Sequence, residues 1–168
     1  MAEAEVRRDD AAPIPASCVA LCEVLRKARR LIVFLHDNPD PDAIASGWIL
    51  QRLAQHLGVR ARIVHGGQLG RAENRAMVRL LRIPLTRLSA KPFQPRSGDR
   101  FALVDSQPGS ANNSFPRKWR AHIVIDHHRN RHPPKAEFAD LRPGVGACTT
   151  LLLELARGCG LPLDARLA

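Results

Sequence analysis

Five contiguous apolar residues, Leu31 to Leu35 (LIVFL), break off at His36. The pattern recurs twice: FALV (Phe101 to Val104) runs into Asp105, and HIVI (His122 to Ile125) runs into Asp126, His127 and His128. Runs this short, rich in β-branched and aromatic residues, fit strands buried on both faces. Between them the period changes. From Cys18 to Ala28 the apolar residues Val19, Leu21, Cys22 and Leu25 fall at three- and four-residue steps, and Ile44 to Leu57 repeats the step up to a stop at Gly58. Ala72 to Leu81 and Cys148 to Arg157 continue it, so four helices are expected, the first with Ser17 as its cap. Ala61 to Val64 reads as a further strand and Leu85 to Leu88 as a short one. Strands separated by helices predict an α/β fold, a mostly parallel sheet with helices on both faces.

A chain of 168 residues with 45% hydrophobic content fits one globular domain. Residues 1–16 are polar and interrupted at Pro13 and Pro15, which predicts a mobile leader before a domain at 17–168. No apolar run approaches the roughly 20 residues of a membrane span, and the opening lacks the apolar core of a secretory signal, so a cytoplasmic location is expected. Cys18, Cys22, Cys148 and Cys159 show no CxxC spacing and are expected to be reduced thiols rather than a zinc site. Lys and Arg number 26 against 16 Asp and Glu, a formal charge of +10. That excludes an acidic, solvating chain. It would draw phosphate-bearing ligands to any cleft without naming one.

The carboxyl ends of parallel strands converge on one edge of a sheet, where loops form the ligand crevice. His36 with Asp40 and Asp42, Asp105, and Asp126 with His127 and His128 should therefore meet. Any one of these acids alone reads as turn or capping chemistry, and Asp42 could cap the helix at Ala43. As a set they do not, because packed carboxylates repel unless a cation or a shared proton intervenes. Oxygen ligands with imidazole suit Mn²⁺ or a related octahedral ion, with Mg²⁺ as the alternative, better than a closed tetrahedral zinc site.

The strings HDNPDPDAIAS (His36 to Ser46), VDS (Val104 to Ser106) and VIDHH (Val124 to His128) closely resemble the first three motifs of the DHH phosphoesterase superfamily. The resemblance runs from about Leu31 to Arg157, including GRAENRAMVRLL and GACTTLLLELA. The form of the first motif is most similar to the nanoRNase and pAp phosphatase branch. This resemblance implies a DHH-type catalytic domain in which His36 and Asp40 hold one metal ion, Asp42 and His127 a second, and Asp105 bridges them. It implies two Mn²⁺ ions, Asp126 orienting a histidine, and His128 beside the scissile phosphate as a transition-state stabiliser. The chemistry it implies is two-metal hydrolysis without a covalent enzyme intermediate.

There are also departures from the family pattern. Pro41 stands between the paired acids where the family usually has a small flexible residue. The family's fourth-motif Asp has no match, since Asp164 in LPLDARLA reads as a helix start, and the carboxy-terminal substrate domain has none either. The domain is therefore expected to be incomplete at its C-terminus, and the second metal site to be the weaker.

Ser46, Arg129 and Arg131 are candidate substrate contacts, Ser46 together with Thr149 and Thr150 as hydroxyls that reach phosphate or else cap and back-bond to the chain. His56, His65, His122 and His132 are expected on the surface or in packing, and Trp48 and Trp119 in packing. The function expected is a metal-dependent phosphoesterase acting on short RNA or DNA oligonucleotides or on 3′-phosphoadenosine 5′-phosphate. The alternative is a non-catalytic nucleotide- or RNA-binding module with a degenerate metal site. No membrane partner is expected, and a homodimer is left open.

Overall fold

The structure is a computed structural model that describes residues 14–88, 93–129 and 133–167. In chain order the elements are α1 (Ala16–Arg26), β1 (Arg30–Phe34), α2 (Pro41–His56), β2 (Arg60–His65), α3 (Ala72–Leu80), β3 (Leu85–Arg87), β4 (Asp99–Val104), β5 (Ile123–Asp126), β6 (Phe138–Leu141) and α4 (Cys148–Gly158). The six strands form one sheet in the order β3-β2-β1-β4-β5-β6, every neighbouring pair parallel. The strand order reverses between β1 and β4. At such a reversal the connections leave in opposite directions, opening a crevice beyond the strands' carboxyl ends.

The sheet is held by the continuous apolar runs. Leu31, Ile32, Val33 and Leu35 are fully buried and Phe34 is 1% exposed, each side chain worth about 1.5–3 kcal/mol of burial. Alternation divides them between two cores. Leu31, Val33 and Leu35 join the buried side chains of α1, α2 and α4, with Met77 and Val78 of α3 packed at the margin. Ile32 and Phe34 face the other way, with Phe101 and Leu103 of β4. None of the four helices packs on that second face among the described residues, where helices on both faces were expected. It is roofed by the connection between β4 and β5, which is too short of apolar periodicity to form a helix and covers the strands with Phe115 and Trp119 instead. Phe115 meets Phe34 edge-on with ring centroids 5.1 Å apart, and Trp119 stacks on Phe101 at 4.8 Å. The packing role expected of Trp119 and of Trp48, which is 5% exposed, is what the fold shows.

Several boundaries move for physical reasons. Asp40, not Asp42, caps α2: its carboxylate accepts from the Ala43 amide at 3.0 Å, and Pro41 takes the first helical position. A missing N–H costs nothing there. Ser17 lies inside α1, whose N-cap is Pro15. β6 was not anticipated; it is an edge strand with one buried residue, Phe138. Residues 1–13 of the expected leader lie outside the described residues, and so do Arg131 and His132. Among the described residues no helix is long and apolar enough to cross a membrane.

Candidate metal centre

Two of the acid-bearing turns meet where the strand order reverses. β1 leads into His36, and β4, its neighbour, leads into Asp105. Asp105 has a φ of 53°, a left-handed conformation that Asp tolerates better than most residues. Its side chain is 4% exposed, and its two oxygens face opposite partners. Oδ2 lies 3.7 Å from His36 Nε2, which is itself 3.8 Å from Asp40 Oδ1. Oδ1 lies 3.3 Å from His127 Nε2, which is 3.6 Å from Asp42 Oδ2. The sequence-expected residues thus form two half-sites sharing one carboxylate.

The loop that carries His36 and Asp40 is pinned from three directions. The Asp37 amide donates to Asn112 O at 2.6 Å, its Oδ1 accepts from Gly66 N and Ser114 Oγ, and Asn74 Nδ2 donates to Pro39 O. Gly67 is needed for this approach, since a Cβ there would lie 2.1 Å from the Asp37 carbonyl oxygen.

Asp42 sits in the first turn of α2, but its carboxylate serves α4. Oδ2 accepts from Cys148 N at 2.8 Å, and Oδ1 accepts from Thr149 N at 2.8 Å and from Thr149 Oγ1 at 2.5 Å. Ala147, the N-cap of α4, has no capping side chain. A remote carboxylate therefore satisfies the free amides and the positive end of that helix. Ser46, expected to touch phosphate, is fully buried and hydrogen-bonds with Thr149 Oγ1 at 3.2 Å. It steadies this junction and is closed off from the crevice, because its helical position turns it toward α4.

Asp126 is 1% exposed and saturated. Oδ1 accepts from the amides of His127 and His128 and from His128 Nδ1 at 2.8 Å, while Oδ2 accepts from Gln107 Nε2 at 2.7 Å. Asp126 therefore aims His128, whose side chain is 60% exposed. Gln107 escaped the sequence reading; its one signal was its place just after the VDS string. The hydrogen bond that His128 donates to Asp126 raises the His128 pKa, against partial burial and with help from the Asp126, Asp105 and Asp42 charges. Burial, with the charges of Asp42 and Asp40, pushes the Asp105 carboxyl up to about 7. His128, Asp105, Gln107, Asp126, Asn112 and Arg129 line a cavity of about 650 Å³.

These residues fit a pair of divalent ions. Asp105 Oδ1 is a buried acceptor without a hydrogen bond. His127 Nδ1 lies 3.0 Å from Val145 O, a carbonyl that can only accept, so Nδ1 carries a proton and Nε2 is the ring atom turned toward Asp105 and Asp42. The spacings of 3.3–3.8 Å are close to the roughly 3–3.5 Å between neighbouring ligand atoms on an octahedral cation. His36, Asp40 and Asp105 form one group able to hold an ion, and Asp105, His127 and His128 a second.

The sequence profile described as "DHH family, N-terminal domain" matches residues 30–167. The chain belongs to the DHH family. It is 37% identical over 129 residues to an uncharacterised protein of Methanocaldococcus jannaschii, covering 76% of this chain and 26% of that one. It is 32% identical over 149 residues to a probable manganese-dependent inorganic pyrophosphatase of Deinococcus radiodurans, covering 82% of this chain and 44% of the relative. The chain thus spans less than half the length of these DHH relatives. Among solved structures, an exopolyphosphatase-related protein from Bacteroides fragilis shares the DHH-domain fold with a TM-score of 0.60 at 13% identity, over 87% of this chain and 44% of the other.

Proposed function

We propose that this DHH domain is the metal-binding part of a Mn²⁺-dependent phosphoesterase that hydrolyses phosphate esters of short oligonucleotides or of 3′-phosphoadenosine 5′-phosphate. The observation that carries the reading is Asp105, a buried carboxylate whose two oxygens each face a different histidine. In this reading His36 and Asp40 would hold one ion and Asp42 and His127 the other, with Asp105 shared. Bound divalent ions supply the charge that polarises a phosphoryl group and eases deprotonation of water.

The chain's own residues do the rest. His128, whose pKa is raised by its bond to Asp126, lies on the crevice, and in its protonated form it would donate from Nε2 to the charge growing on the phosphate. Gln107 holds Asp126 in place, so His128 needs no reorientation as charge develops. Arg129, exposed on the same cavity, can grip a non-reacting phosphate with paired hydrogen bonds. The net charge of +10 favours approach of such substrates. Four free cysteines suit a reducing, cytoplasmic compartment.

A second substrate, inorganic pyrophosphate, is favoured by the identity to the Deinococcus protein. Incubation with Mn²⁺ and, in turn, a dinucleotide, 3′-phosphoadenosine 5′-phosphate and pyrophosphate separates the two. Release of mononucleotide or phosphate from the first two, lost in Asp105→Ala with the fold intact, supports the proposal. Release from pyrophosphate alone supports the second substrate. Binding without turnover of any of them supports the non-catalytic module.

A further inference from the structure

The other edge of the sheet, where the strands begin, carries a feature the metal centre does not use. Arg30 of β1 is in register with Arg60 of β2 on one side and Asp99 of β4 on the other. A cavity of about 720 Å³ opens there, walled by Arg29, Arg30, Arg60, Arg62 and Arg96 against a single carboxylate, Asp99. Its size falls in the range of roughly 300–1,000 Å³ typical of small-ligand pockets.

Asp99 is already committed. Its side chain is 3% exposed, it receives Arg30 Nε and Nη2 at 2.9 and 2.6 Å, and it accepts from the Arg96 amide at 2.8 Å. The turn is fixed further by Asp99 N donating to Arg96 O and Arg29 N donating to Gly98 O. Gly98 has a φ of 83°, and a Cβ there would lie 2.7 Å from Arg29 Cδ, so its bareness lets the Arg29 stem lie against the turn.

Among the described residues, the guanidinium groups of Arg29, Arg60, Arg62 and Arg96 have neither ion-pair nor hydrogen-bond partners. The last turn of α2 and the turn after it border the cavity at Gln55 and Gly58, yet none of these arginines bonds the helix's last carbonyls, so capping that helix does not explain them. Arg60 and Arg62 are two positions apart on one strand. They leave the same face roughly 6–7 Å from each other, and like charges so placed repel unless an anion sits between them.

We propose that this cavity is a second anion site, taking a small ligand that carries a chain of two or more phosphates. Planar guanidinium forks match phosphate oxygens in pairs, and five guanidinium groups against one carboxylate leave a positive excess larger than one phosphate neutralises. Six residues of extended chain separate Arg30 from His36, about 20 Å, so a ligand here does not touch the metal centre.

The test is calorimetric titration of the whole chain in EDTA at 0.15 M salt with tripolyphosphate, with ATP and with adenosine. Because no metal is present, the result is independent of whether the chain hydrolyses anything. Saturable binding of tripolyphosphate is expected, with none of adenosine and at least a tenfold loss in Arg60→Ala/Arg62→Ala. Both residues are exposed, and an unchanged melting temperature confirms that the variant folds. ATP binding more tightly than tripolyphosphate would identify the phosphate source as a nucleotide, and equal binding would identify an inorganic chain. The inference is overturned if tripolyphosphate does not saturate, if the double variant binds as well as the parent, or if Arg129→Ala at the other edge weakens binding as much as the double variant.

Discussion

Replacing Asp105 by Asn should stabilise the metal-free protein, and more so as pH rises. In the fold the Asp105 carboxyl has a pKa of about 7 against an ordinary 3.8, because it is buried and because Asp42 and Asp40 repel its charge. The carboxyl is harder to ionise in the folded than in the unfolded chain, so the unfolded chain releases the proton first and stability falls as pH rises. The penalty is negligible below pH 3.8, about 1.7 kcal/mol at pH 5 and about 4 kcal/mol above pH 7. Asn keeps the shape, cannot ionise, and tolerates the left-handed φ of 53°. Urea unfolding in EDTA should therefore show the advantage of Asp105→Asn growing by roughly 2.5 kcal/mol between pH 5 and pH 8. For a chain of this size that corresponds to about 5–10 °C in melting temperature. Adding Mn²⁺ should reverse the order, because the parent then gains a ligand that binds only its folded form. An advantage of Asp105→Asn that stays constant or shrinks from pH 5 to pH 8 would mean that burial and the neighbouring carboxylates do not hold the Asp105 proton in the fold.

Thr149→Val removes the 2.5 Å bond to Asp42 and the 3.2 Å bond to the buried Ser46 hydroxyl; a loss of about 2 kcal/mol is expected by urea unfolding, with Thr149→Ser close to the parent. The His128 pKa is raised chiefly by its bond to Asp126, so its contribution to stability is full below pH 6.5 and fades as pH climbs through the folded value. An NMR titration should place the His128 midpoint above 6.5, and Asp126→Asn should lower it. Mn²⁺ calorimetry should resolve two unequal sites, the weaker at Asp42 and His127, because both oxygens of Asp42 already serve the amides of α4; two equally tight sites would contradict this.

The sheet and its acid-bearing edge were legible because burial on both faces writes a continuous apolar run, and the run stops where the chain reaches the ligand crevice. Leu31–Leu35 followed by His36, and Phe101–Val104 followed by Asp105, say this directly. β6 was not legible, because an edge strand with one buried side chain leaves no periodic trace. The role of Asp42 toward α4 spans 106 residues, a distance no local spacing encodes. Its one trace was negative: a helix opening on Ala147 with no capping side chain of its own. Asp40 as the cap of α2 could have been read from Pro41, since proline favours the first helical position and places the cap one residue before it. Gln107 and Asp37 act from irregular segments, where hydrogen-bond partners are set by tertiary approach.

Asp105, buried with a histidine facing each of its oxygens, is placed to be shared between two ions. Anomalous diffraction at the manganese edge, from crystals of this chain grown with Mn²⁺, tests it most directly. Two peaks roughly 3.5–4 Å apart, one beside His36 and Asp40 and the other beside His127 and Asp42, with Asp105 between them, are predicted. Manganese bound with Asp105 outside its coordination, or no manganese at this edge, would contradict the account.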